Sequence, residues 1–431
     1  SGVDYPGGVV QGCIDDPARH PTAAGYLKVL LGGTEVKRIY MDNNATTAVR
    51  PEVMEAMLPF FREHFGNPSS VHWAGRETGA ALQAAREKVA RLINCDPAEI
   101  VFTSCGSEGD NLAIKGVADA RRDRGNHIIT TEVEHPAVLA ACKFLEKQGF
   151  EVTYLPVDEQ GMLDVDALEA AITDKTILIS VMWANNETGT LFPIEQIGAV
   201  ARKHKICFHT DAVQAIGRVP VDVEKAQLDL LAISGHKIGA PKGVGALYVR
   251  KGVRLTPLIH GGHQERNRRA GTHNLPGIVG LGTACEMASA DLQNTADRLR
   301  RLRDRLEQGL LAAIPESQVN GHPSQRLPNT LNISFNYIEG EAVLLFLDMQ
   351  GIAASSGSAC MSDSFGQSHV IDAMGVDPMM ANSAIRFGLG YDNSEADVDQ
   401  VLEILPGIVK KLRDMSPFYH ERAAAKLTAN S

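Results

Sequence analysis

From Ile39 onward, short β-branched or apolar runs alternate with amphipathic stretches of helical length. That rhythm specifies an α/β chain with a largely parallel central sheet, because each crossover between parallel strands needs a connection about as long as a helix. The strand candidates are 99–103, 126–130, 151–154, 176–181, 205–208, 228–233 and 244–249, with helix candidates 75–92, 108–122, 136–148 and 194–204 between them. Pro136 marks a helix start, since a first-turn proline gives up no hydrogen bond. Past residue 282 the character changes. A long basic helix over 291–311 carries Leu299, Leu302, Leu306 and Leu310, interleaved with five arginines, and reads as a solvated face over a buried leucine stripe. A strand over 330–335, a helix over 341–349 and a strand over 384–389 follow. The expected organisation is a large domain, 51–290, and a smaller α/β domain built from 39–50 and 291–431.

Residues 1–38 stand apart as an N-terminal extension of unknown role. With no charged segment leading into an apolar core, they do not read as a secretory signal, and four acidic residues against two arginines argue against a mitochondrial transit peptide. At 431 residues, 44% hydrophobic and 22% charged, the chain has the balance of a soluble protein of two or three domains. A formal charge of −10 argues against a dedicated nucleic-acid binder, and no apolar run is long enough for a membrane span. Seven cysteines without a C-x-x-C pair fit reduced thiols, hence a cytoplasmic location.

Chemistry gathers where strands end. Lys237 closes the run Leu-Ala-Ile-Ser-Gly-His-Lys, and Asp211 closes Lys-Ile-Cys-Phe-His-Thr-Asp. A lysine that can form a Schiff base and an aspartate that can hold a pyridine nitrogen protonated suit pyridoxal 5'-phosphate. A surface lysine in a glycine-rich turn is the alternative for Lys237, with Lys242 a rival nearby. Phe102-Thr-Ser-Cys-Gly-Ser-Glu108 follows a strand and opens a helix, so Gly106 and Ser107 are candidates for holding an anion, with Ser234 and His236 as further donors. Asn186 follows strand 176–181, and Gln214 lies just past Asp211. Ligands in open α/β sheets bind at the carboxyl ends of strands. His135 can stack on an aromatic ring, cap the following helix, or do both.

Cys360 lies in Ala354-Ser-Ser-Gly-Ser-Ala-Cys-Met-Ser-Asp-Ser364, small polar residues that belong in an exposed loop, where a thiol can reach a substrate. A loop cysteine without a role is the alternative. Arg386, in an otherwise apolar strand, is either a clamp for a substrate carboxylate or half of a structural ion pair. Thr272, after the basic run Arg266-Asn-Arg-Arg269, suits a further phosphate contact.

Taken together these motifs resemble the NifS/IscS-type cysteine desulfurases, within the class V aminotransferases and the fold-type I pyridoxal-phosphate enzymes. The resemblance runs from about Ile39 to past Leu389. It includes Tyr40-Met-Asp-Asn-Asn-Ala-Thr-Thr47, Phe65-Gly-Asn-Pro-Ser-Ser-Val-His72, Glu134-His135, Asn185-Asn-Glu187, Thr210-Asp-Ala-Val-Gln214, Ser234-Gly-His-Lys237, Ser356-Gly-Ser-Ala-Cys360 and Ile385-Arg-Phe387. It implies Lys237 as the Schiff-base lysine, Asp211 on the pyridine nitrogen, His135 stacked on the ring and assisting proton transfer, and Gln214 on the phenolic oxygen. Gly106, Ser107, Ser234 and His236 would hold the phosphate, with Thr272 reaching in from the other subunit of a homodimer. Asn186 and Arg386 would take the carboxylate of L-cysteine. Cys360 would be the nucleophile that becomes a persulfide as L-alanine forms, with an iron–sulfur scaffold protein as acceptor; no metal is implied at the site. A selenocysteine lyase or another class V enzyme is the alternative, and a non-catalytic scaffold a more distant one. The sequence departs from the family in Phe365-Gly366-Gln367, where Leu-Glu-Pro is common, which bears on the handover partner more than on the chemistry.

Overall fold

A computed structural model describes residues 37–356 and 368–420; the extension up to residue 36 and the expected nucleophile Cys360 lie outside the described residues. Strand β1 (Ile39–Tyr40) precedes the seven strands of the central sheet: β2 (Ile100–Thr103), β3 (His127–Thr131), β4 (Glu151–Leu155), β5 (Thr176–Ser180), β6 (Cys207–Asp211), β7 (Leu230–Ser234) and β8 (Gly245–Val249). Their spatial order is β2-β8-β7-β6-β5-β3-β4. Only β8 runs against its neighbours, pairing antiparallel with both β7 and β2. The remaining pairs are parallel, as the alternating sequence requires.

The continuous apolar runs follow from burial on both faces. Ile128, Leu178, Cys207, Leu230 and Leu247 pack on one face of the sheet, and their immediate successors Ile129, Ile179, Phe208, Leu231 and Tyr248 pack on the other, so that the sheet runs through the middle of the first core. With both faces occupied, polar chemistry is confined to strand ends. Most strand boundaries shift by one or two residues from the sequence reading, and that of β6 shifts most. Strand β6 begins at Cys207 because Lys205 adopts a left-handed cap (φ 59°) on helix Ile194–His204, its N–H bonded to the carbonyls of Ala201 and Arg202. The strand therefore runs through to Asp211.

A second core joins Ile39 and Met41 to the stripe Leu299, Leu302, Leu306 and Leu310 and to Leu331, Ile333 and Phe387. It underlies a three-stranded antiparallel sheet of β9 (Ser317–Val319), β10 (Thr330–Phe335) and β12 (Ile385–Gly388), while β1 pairs in parallel with β11 (Ile352–Ala353). Helix Glu395–Met415, absent from the sequence reading, closes this core with Val398, Val401, Leu405 and Val409, although Pro406 lies in its interior. From Ile39 on the chain forms one unit. No described helix is long and apolar enough to cross a membrane.

The loop over 261–272 is anchored by one carboxylate. Glu265, Arg266 and Asn267 are consecutive non-glycine residues in the left-handed region, at φ 47°, 56° and 65°, each costing on the order of 1 kcal/mol. The Glu265 carboxylate accepts from both terminal nitrogens of Arg86 (2.7 and 2.8 Å), from Phe102 N (3.0 Å) and from His273 Nε2 (2.7 Å). Burial alone would raise its pKa, but the bonds from His273 and Arg86 outweigh it and bring the pKa down to about 2. Glu265→Gln should therefore cost about 3 kcal/mol in denaturant unfolding at neutral pH, by leaving Arg86 buried without its anion. Because the folded pKa lies below the unfolded value of ~4.3, this stabilisation is complete above the unfolded pKa and is lost as pH falls toward 2. The gap between wild type and variant should accordingly narrow below about pH 4.

Candidate active site

Five strand ends meet at one edge of the central sheet. After β2 the chain opens helix Gly106–Ala120, whose first-turn N–H groups have no intrahelical acceptor. A Cβ on Gly106 would stand 2.7 Å from Val213 Cγ2 and 3.4 Å from Ser234 Cβ, so this turn, the end of β6 and the end of β7 close on one another. Ser234 Oγ is buried and has no hydrogen-bond partner among the described residues. Ser107 is exposed beside it. After β3, His135 caps helix Pro136–Glu146 by accepting Ala137 N–H at Nδ1 (3.1 Å). That bond places the proton of the neutral ring on Nε2. Capping is thus realised, and it leaves the ring face and Nε2 available.

The Asn185–Asn186 pair after β5 divides its work. Asn185 Oδ1 accepts from Glu187 N (2.9 Å) and Thr188 N (3.0 Å), turning the chain. Asn186 contributes its carbonyl to Arg386 Nη1 at 2.9 Å, while its own Oδ1 is buried without a partner among the described residues. Asp211 Oδ1 accepts Val213 N–H at 2.9 Å. Lys237 turns inward, its Nζ 2.5 Å from the carbonyl of Asn44 and 2.8 Å from that of Ala45, whereas Lys242 is exposed.

The segment around Asn44 was quoted in the sequence only as part of a motif, yet it forms one wall of the site. Gln214 Nε2 donates to the Asn44 carbonyl (3.0 Å), Thr47 Oγ1 to His236 O (2.8 Å), and Thr46 Oγ1 lies 3.1 Å from His236 Nδ1. Asp42 pairs with Arg386 Nη2 at 3.0 Å, so the ion-pair reading of Arg386 holds in the structure, with Arg386 turned toward Asn186 as well. Thr272 is exposed and hydrogen-bonds to none of these residues.

Burial dominates the electrostatics. It lowers the pKa of His135, with the charges of Lys237 and His369 adding to it against the pull of Asp211. It raises that of Asp211, opposed by His135, by Val213 N–H and by Lys237. His236, half-buried and facing the charges of Lys237 and Lys242, falls to about 4 and is neutral at pH 7. Glu134, next to His135, rises to about 8 by burial, even though Met182 N and Thr131 Oγ1 both donate to it.

Sequence reasoning passed over Asn44, Asp42 and two buried residues, Asp110 and His209. Alternation along β6 could have found His209, because residues 207, 209 and 211 share one face; nothing local marks Asp110.

Asn44 carries a prediction. Its side chain is 1% exposed, donates to Thr330 Oγ1 (2.8 Å) and accepts from Asn329 Nδ2 (3.1 Å). Asn44→Ala removes the donor to Thr330 Oγ1 and leaves Asn329 Nδ2 only its longer bond to the Leu389 carbonyl (3.4 Å), and should lower the unfolding free energy by roughly 2–3 kcal/mol. Asn44→Asp, which keeps the acceptor, should lose less, as measured by urea denaturation.

The comparisons with known proteins identify the family. Residues 39–401 match the model of the aminotransferase class-V family. The chain is 57% identical over 384 residues to a cysteine desulfurase IscS of Methanosarcina thermophila, covering 89% of this chain and 95% of that protein. Among solved structures it resembles a NifS-like protein, with a TM-score of 0.83, 42% identity, and coverage of 87% of this chain and 100% of that one. It also resembles SspA in complex with cysteine, with a TM-score of 0.73, 38% identity, and coverage of 82% and 99%. The chain belongs to the class V aminotransferase family and, within it, to the NifS/IscS cysteine desulfurases.

Proposed function

We propose that this cysteine desulfurase works with pyridoxal 5'-phosphate held by Lys237, and that it moves the sulfur of L-cysteine onto Cys360 as a persulfide, releasing L-alanine. The observation that carries the reading is the placement of Lys237 and Asp211 just past or at the ends of adjacent strands, with the Gly106 turn closing beside them.

The residues present fit the group. The partnerless Ser234 Oγ and the open N–H groups of the turn after Cys105 suit a phosphate, with Ser107 and His236 alongside. The second oxygen of Asp211 takes no hydrogen bond from a described residue and suits a protonated ring nitrogen. Gln214 suits the phenolic oxygen and His135 the ring face. When bound, the group supplies an electron sink for negative charge developed at the substrate Cα.

The chain's own residues then have separate tasks. Arg386 and Asn186 fix the substrate carboxylate. His135 spends Nδ1 on its helix cap, so its Nε2–H is a donor, and abstraction of the Cα proton falls to the Lys237 amine. The Cys360 thiolate attacks the substrate sulfur; an S–S bond forms as the Cβ–S bond breaks, and the electron pair stays with the substrate carbon. Cβ gains one proton, Cα regains the one it lost, and L-alanine leaves. The persulfide passes to an acceptor, for which an iron–sulfur scaffold protein is the reading. Thr272, at the end of the loop pinned by Glu265, serves the phosphate of a second copy in a homodimer. The two cores support a division into a large domain, 51–290, and a small one from 39–50 and 291–431.

The visible spectrum of the purified protein before and after L-cysteine, with alanine and sulfide assayed together, tests this reading. A cofactor band that shifts on addition, with alanine formed, is the expected result; a band without alanine would sink the desulfurase chemistry. Cys360→Ser should keep the band and lose alanine formation by roughly three orders of magnitude or more. Lys237→Ala should lose the covalently held cofactor. Normal turnover in the serine variant would remove Cys360 from its role.

A further inference from the structure

One buried titratable residue has no part in that chemistry. Asp110 lies one turn into helix Gly106–Ala120, is 1% exposed, and leaves Oδ1 without a hydrogen-bond partner among the described residues. Its carboxylate, that of Asp211 and a ring nitrogen of His135 lie within 4.8 Å of one another. Behind it, His209 Nε2 stands 3.6 Å from Asp110 Oδ1, and His209 Nδ1 is 2.9 Å from Ser180 Oγ. His209 and Asp211 sit two residues apart on β6, so alternation turns both toward the face that this helix covers.

We propose that Asp110 is a positioning residue for the pyridine end of the cofactor: it carries the single proton of the Asp110–Asp211 pair and leaves Asp211 as the one anion facing the ring nitrogen. Two buried carboxylates this near one another disfavour joint ionisation, so one of them is the place for a proton. The surroundings decide which one holds the proton. Asp211 accepts Val213 N–H and faces Lys237 and His135, all of which favour its anion. Asp110 is raised first by burial and then by Asp211, Glu134 and Cys105, with nothing opposing. His209 offers no positive charge, since burial lowers it to about 3. A neutral Asp110 can donate toward Asp211, which orients the Asp211 carboxylate without adding a second negative charge beside it.

This inference rests on the pyridoxal reading for its role but not for its proton, and the test separates the two. In cofactor-free protein at pH 7, with aspartate carboxyls isotope-labelled, the infrared difference between wild type and Asp110→Asn should contain the C=O stretch of a neutral carboxylic acid. Loss of a carboxylate band instead would overturn the proposal. Titration of the same proteins with pyridoxal phosphate reads the positioning role. Asp110→Asn, which keeps shape and a donor, should bind within threefold of wild type, and Asp110→Leu at least tenfold more weakly. Equal binding by wild type and the leucine variant, or a tenfold loss in the asparagine variant, would overturn that role. If the leucine variant fails to fold by thermal melt, the asparagine variant decides through both readouts. A neutral-acid band in protein that takes up no cofactor would refute the pyridoxal reading and the positioning role while leaving the proton on Asp110.

Discussion

The ammonium of Lys237 lies 2.5 Å from the carbonyl of Asn44 and 2.8 Å from that of Ala45, and much of the molecule's organisation passes through this contact. Asn44 and Ala45 follow Ile39 and Met41, which are buried in the second core. Lys237 follows β7, buried in the first. The segment between is thus held at one end by apolar packing and at the other by charge-assisted hydrogen bonds. Thr47 adds two bonds to the same turn, accepting from Gly239 N and donating to His236 O. A site assembled across two cores needs such a tie, because neither core alone fixes the distance between Arg386 and Asp211.

Burial on both sheet faces sets the electrostatic problem that the site has to solve. Polar groups collect where the strands end, in a region dry enough to penalise each charge. Glu134, Asp110, Asp211 and Glu187 all have pKa values raised first by burial. Burial therefore disfavours the ionised form of each of them. Glu187 is tied by Ser368 Oγ at 2.5 Å and Glu134 by Met182 N and Thr131, bonds that a protonated or an ionised carboxyl can both accept. The site therefore holds several acids without being strongly negative.

What the sequence made legible follows the range of the interaction concerned. Strands buried on both faces advertise themselves as apolar runs, and the residue after each run is the one at the sheet edge. That is why Lys237, Asp211, Asn186 and His135 could be named from the chain alone. The error at Lys205 arose because a left-handed helix cap by lysine, and not glycine, has no clear signature. Helix Glu395–Met415 was hidden by its internal Pro406. Asp110 and Glu265 were beyond reach for a different reason. Asp110 meets His209 across 99 positions, and Glu265 meets Arg86 across 179. Such contacts depend on which helix covers which sheet face, a tertiary fact that no local pattern encodes.

The chain on either side of 357–367 is tied to residues of the site. On one side Ser355 pairs with Arg386 through reciprocal backbone bonds of 2.6 and 3.2 Å. On the other, Ser368 donates to Glu187, and His369 Nε2 is 3.0 Å from the carbonyl of Glu134. The first anchor is thus on Arg386 itself, whose Nη1 donates to the Asn186 carbonyl, and the second is on the sequence neighbours of Asn186 and His135. Arg386 on one side and Glu187 with Glu134 on the other hold the chain where it enters and leaves that segment.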